Sequence, residues 1–116
     1  MATSILQDDA VLVDIVERLV QAFQPEQIYL FGSKARNEAG PDSDYDLMVV
    51  VPDDVSLERR HSRLAYEALR GTGTAADVLV STRERFNTRL RAAASLPATI
   101  VREGTLVYDA RFGVDR

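Results

Sequence analysis

The sequence predicts an α/β domain in which helices pack on a small sheet. Helical-period stretches alternate with short β-rich runs in the order α-β-α-β-α-β-α-α-β, the pattern of a layered chain. One run, residues 47–51, is continuously apolar, as a strand covered on both faces is. Composition agrees: 46% of the 116 residues are hydrophobic and 28% charged, values that exclude disordered, collagen-like and coiled-coil chains. A chain of this length hides roughly two-thirds of the surface its unfolded form exposes, enough for one core without staples. Residues 1–116 read as a single domain with no internal repeat, low-complexity tract or linker.

The elements follow in order. Residues 8–23 set Leu12, Ile15, Val16, Leu19, Val20 and Phe23 at helical spacing, with Asp8 or Asp9 as N-cap and Pro25 beyond the end. Residues 27–31 form a short β-rich run stopped by Gly32, a buried strand. A brief helical turn is expected over 33–37 before Gly40-Pro41 breaks the chain. The second strand, 44–51, is polar at its entrance, apolar afterwards and stopped by Pro52. Ser56 caps a helix carrying Leu57, Leu64, Ala65, Ala68 and Leu69, ended by Gly71 and Gly73. A third strand covers 75–80. A helix then runs from about Arg83 to Ala94, a shorter one opens near Pro97, and Gly104 is its expected C-cap. The last strand covers 105–108, and a polar tail, about 110–116, is expected to fray.

Composition also narrows function. The absence of cysteine removes disulfide frameworks, thiolate zinc sites and cysteine nucleophiles, and is compatible with a cytoplasmic home. The net charge is −4, so no direct nucleic-acid or anionic-membrane partner is expected from the overall field. Lys34 is the sole lysine beside 13 arginines; arginine reads phosphate and carboxylate in bidentate fashion, but a nucleotide-composition bias of the genome is the better reading for most of them. No apolar stretch approaches the ~20 residues of a membrane span, and residues 1–9 lack the basic start of a secretory signal.

Chemistry concentrates between Phe31 and Leu47. Gly32-Ser33 sits between a strand and a helical turn, where glycine admits a ligand close to the backbone and the following amides and hydroxyl suit phosphate. Asp44 and Asp46 are two apart on a strand, so both side chains leave one face. Asp77 heads Val-Leu-Val on the next strand; if the two strands are neighbours, three carboxylates converge. Two carboxylates ~4 Å apart repel by about 4 kcal/mol at an effective dielectric near 20. Such a cluster calls for a cation, and carboxylate oxygens with a substrate phosphate are how Mg²⁺ is usually held. Two such ions can activate an attacking hydroxyl and stabilise departing pyrophosphate, with Asp77 the better candidate to help deprotonate that hydroxyl. Taken singly these features have plainer readings: Asp-x-Asp at a strand entrance is often a solvated turn, and Asp77 can equally cap the loop before its strand. Their joint occurrence favours the site.

Gly32-Ser33, ten residues, then Asp44-Tyr45-Asp46 resembles the signature of the polymerase-beta-like nucleotidyltransferases, whose third acid comes from a later strand, as Asp77 would. The resemblance spans nearly the whole chain and is nearest to the minimal nucleotidyltransferases. It implies the nucleotidyltransferase fold, an α+β arrangement with a small mixed sheet, with Mg²⁺ and ATP as donor. It further implies AMP transfer to a protein hydroxyl, for the antitoxins of this group a tyrosine on a HEPN-domain toxin encoded beside them. By the same match Gly32 and Ser33 would hold nucleotide phosphates, and Asp44, Asp46 and Asp77 the metal. Gly-Ser-Lys-Ala-Arg is similar to the family's Gly-Ser-Arg-Ala-Arg; Lys34 keeps the charge without the fork geometry.

Arg36 can touch the triphosphate or form a surface ion pair. His61 lies on an apolar stripe with Leu57 and Leu64 and reads as packed rather than ligating. Tyr45, between the acids, points to the opposite face and reads as core; Tyr29 and Tyr108 read as sheet residues. Arg59, Arg60, Arg63 and Arg70, like Arg83, Arg85, Arg89 and Arg91, read as solvated faces, the latter set also as a surface for an acidic partner. A single small domain leaves little room for an acceptor pocket, so another chain is expected to complete it. Two further functions compete: an antitoxin that neutralises by binding alone, and an adenylyltransferase for a small molecule such as an antibiotic.

Overall fold

A computed structural model describes residues 9–32, 45–55, 62–73 and 76–114. Its elements are α1 (Ala10–Phe23), β1 (Gln27–Phe31), β2 (Tyr45–Val51), α2 (Ser62–Ala68), β3 (Ala76–Thr82), α3 (Arg83–Leu90), α4 (Leu96–Glu103), β4 (Thr105–Asp109) and β5 (Gly113–Val114). The strands form one sheet ordered β3-β2-β1-β4-β5. β2 and β3 run parallel, and the other pairs are antiparallel, so the sheet is mixed. No helix among the described residues is long and apolar enough to cross a membrane.

Strand periodicity divides β2 between two cores. Tyr45, Leu47, Val49 and Val51 join Leu12, Ile15, Val16, Leu19 and Phe23 of α1 and Ala65 of α2 on one face. Met48 and Val50 meet Phe86 of α3 and Ile100 of α4 on the other. The unbroken apolar run is thus a strand covered on both sides, next to the sheet's parallel edge.

Helix α1 begins where Asp9 Oδ1 accepts the Leu12 amide at 3.0 Å. It ends at Gln24, in the left-handed region at φ 49°, just before Pro25. Its five buried side chains each contribute roughly 1.5–3 kcal/mol, against ~1 kcal/mol for a cap, so burial rather than capping holds it.

Four details depart from what the sequence predicts. Helix α3 stops at Leu90, where the Ala92 amide bonds the Arg89 carbonyl at 3.1 Å and the Ser95 hydroxyl bonds that carbonyl at 2.6 Å. Ser95 is thereby free to cap α4, accepting from the Ala98 amide at 3.2 Å, with Pro97 in the first turn. Gly104 does cap α4, but at φ −87°. What it requires there is space, because a Cβ would sit 2.6 Å from the Ile100 carbonyl oxygen and 2.7 Å from that of Leu30. The polar end forms β5, pairing Asp109 with Gly113 and Tyr108 with Val114. Asp109 organises that turn, accepting the Arg111 amide at 2.9 Å and its guanidinium at 3.1 and 3.0 Å. Arg83 is half-buried rather than solvated, donating to Glu26 Oε1 and Gln27 Oε1, each at 2.7 Å. The helical turn expected over 33–37, the Ser56 cap, His61, Arg59 and Arg60 lie outside the described residues.

Candidate active site

Sheet topology sends three strand ends to one edge. β1 runs antiparallel to β2, so Phe31 at its end lies beside Asp46 near the start of β2. β3 runs parallel to β2, which sets Asp77 directly opposite Asp46. Residues opposite one another on paired strands share a face. Both acids therefore stand on the α3/α4 side, one position beyond the apolar Met48 and Leu79.

The register sets the two residues side by side along the sheet at a strand spacing of ~4.8 Å, and two carboxylates at that separation would repel by about 3 kcal/mol for an effective dielectric near 20. Asp46 is half-buried and Asp77 exposed, so solvent reduces that figure. Two hard oxygen donors on one face, with Asp77 open to solvent, fit a divalent cation such as Mg²⁺. Among the described residues no group of three or more metal-ligating side chains is gathered.

Gly32 closes β1 at φ 75°, a left-handed conformation that favours glycine. A Cβ there would run into Oδ2 of Asp46 and lie 3.2 Å from its Cγ. The strand end thus needs glycine twice over, for its backbone and for the acid packed on it.

Of the residues singled out in the sequence, Gly32, Asp46 and Asp77 are brought together. Asp44, Ser33 and Arg36, with Lys34, lie outside the described residues. Tyr45 faces away from Asp46, is 6% exposed, and donates its hydroxyl to Asp9 Oδ2 at 2.6 Å. Burial first, then the hydrogen bond to Asp9 and its negative charge, push that hydroxyl well above the ordinary tyrosine range, so it remains a donor. The sequence signals the cap at Asp9 and the core position at Tyr45, but nothing in it joins two residues so far apart.

A cavity of about 520 Å³ opens at the opposite end of the sheet, lined by Gln27, Arg83, Asn87, Asp109 and Arg111 among others. Its charged groups are paired with each other, Arg83 with Glu26 at 2.7 Å and Arg111 with Asp109 at 3.0 Å. Position and pairing make it a structural network remote from the acids rather than a nucleotide site.

A family profile for the nucleotidyltransferase domain matches residues 12–106. Among curated protein sequences none is significantly similar to the chain. Among solved structures, a Sulfolobus solfataricus protein described as a nucleotidyltransferase superposes with a TM-score of 0.62 at 21% identity, over 91% of this chain and 84% of its own. A toxin–antitoxin complex with AMP-PNP superposes at 0.54 and 22% identity, over 83% and 72%. A complex of tri-AMPylated Shewanella oneidensis HEPN toxin with MNT antitoxin superposes at 0.50 and 20% identity, over 88% and 75%. At these identities the likeness establishes the fold.

Proposed function

Because the chain belongs to the nucleotidyltransferase domain family, we propose that it transfers AMP from ATP to a tyrosine hydroxyl of a partner HEPN toxin and so acts as an antitoxin. The observation that carries this reading is Asp46 directly opposite Asp77 on neighbouring strands, with Gly32 against the Asp46 carboxylate. The similarity to the AMP-PNP complex and to the tri-AMPylated toxin complex supports the donor, the reaction and the partner.

In this reading Asp44, Asp46 and Asp77 hold Mg²⁺, two ions by the family's chemistry, and Gly32, Ser33 and Arg36 hold the triphosphate. The bound ions supply charge neutralisation for the phosphates and for departing pyrophosphate. The acceptor oxygen attacks the α-phosphorus, the α–β phosphoanhydride bond breaks, and pyrophosphate leaves. Asp77, the exposed acid, takes the proton from the acceptor hydroxyl. Gly32 leaves the nucleotide close access to the end of β1.

The test incubates the protein with Mg²⁺-ATP and the protein encoded beside it, followed by intact mass and a toxicity assay. AMP adducts on that neighbour, lost together with neutralisation in Asp46→Asn and Asp77→Asn, are the expected result. Neutralisation without adducts, retained by both variants, means an antitoxin that works by binding. Adducts on a small molecule alone mean a different acceptor class.

A further inference from the structure

We propose that the hydrogen bond from Tyr45 to Asp9 is a positioning device that fixes the carboxylate of Asp46 for its metal. This rests on the function proposed above. Tyr45 is the first residue of β2 and the immediate chain neighbour of Asp46. The described pairing of β1 with β2 ends at Phe31 and Asp46, whereas pairing with β3 extends one residue further, to Tyr45 and Ala76. At the strand entrance the Tyr45 side chain supplies an anchor from the α1 side of the sheet.

That anchor is specific. Packing in the α1 core would be served by a phenylalanine, since burying a hydroxyl without a partner is costly. Tyr45 instead reaches Asp9 Oδ2 at 2.6 Å, the short distance of a charge-assisted bond. The other oxygen of the same carboxylate accepts the Leu12 amide at 3.0 Å. One side chain thus starts α1 and pins the entrance of β2. Side chains alternate along a strand, so pinning residue 45 on one face sets the direction in which residue 46 leaves the other. Metal-ligating carboxylates need placement within ~0.5 Å, which the supporting shell provides.

The experiment measures Mn²⁺ affinity in the presence of AMP-PNP, together with thermal melting, for the wild-type chain, Tyr45→Phe, Asp9→Ser and the double variant. Serine remains a good N-cap but is too short to reach the phenol. Each single variant is expected to bind Mn²⁺ about 10-fold more weakly, the lower end for losing a group that orients a ligand. The double variant is expected to be no weaker than either, because one interaction is being removed. Folded variants that melt lower yet keep wild-type Mn²⁺ affinity overturn the inference and leave the proposed function standing. Should Tyr45→Phe not fold, Asp9→Ser alone decides in the same way. A wild-type chain that binds no Mn²⁺, or whose binding survives Asp46→Asn, overturns the functional reading and this inference with it.

Discussion

Gly32 shows how much can hang on a missing side chain. Its φ of 75° and the Asp46 carboxylate against its Cα both exclude a Cβ. Gly73 has a similar φ of 69° with nothing within 4 Å of a built Cβ. Gly73→Ala should therefore lose about 1–2 kcal/mol by denaturant melts, the conformational cost alone, and Gly32→Ala at least as much. Only Gly32→Ala should also lose nucleotide transfer, because only there does the added methyl displace Asp46. Equal transfer by the two variants would detach Gly32 from the site. At this scale the spacing of Gly32, Asp46 and Asp77 was legible, because each residue type is locally expensive without a ligand. The tie between Asp9 and Tyr45 was not, since a cap and a core aromatic each have a sufficient local explanation.

The turn into β5 is the element that the chain's chemistry hid. Polarity around 110–116 signals exposure, but the strand is made by one acid: hydrogen bonds from the Arg111 side chain, from its amide and from Gln27 hold the Asp109 carboxyl far below its usual range. A pKa lowered on folding adds stability above the unfolded value, near 4, which drains away as pH falls toward the folded one. The stability gap between wild type and Asp109→Asn, by urea midpoints, should thus be full at about pH 7 and shrink at about pH 3. A gap that ignores pH would mean the carboxylate's charge is idle. Helix α3 carries a related lesson. Its alanine-rich end, Ala92 to Ala94, reads as helix by propensity, yet Ser95 claims the Arg89 carbonyl and starts α4 instead.

For the whole molecule, the mixed sheet is what makes a site out of distant acids. Periodicity made legible the doubly covered strand and, apart from the turn over 33–37 that lies outside the described residues, the order of elements up to β4. Strand order and direction come instead from pairings that no local signal encodes. Antiparallel β1–β2 and parallel β2–β3 pairing bring Gly32, Asp46 and Asp77 to one end. Another strand order would scatter them without changing any local propensity. The most direct measurement is a crystal structure with Mn²⁺ and AMP-PNP, read by anomalous scattering from the metal. A peak is expected within coordination distance of both the Asp46 and Asp77 carboxylates, with the triphosphate over Gly32. A metal that contacts neither acid, or a nucleotide seated at the opposite end by Arg83, would contradict it.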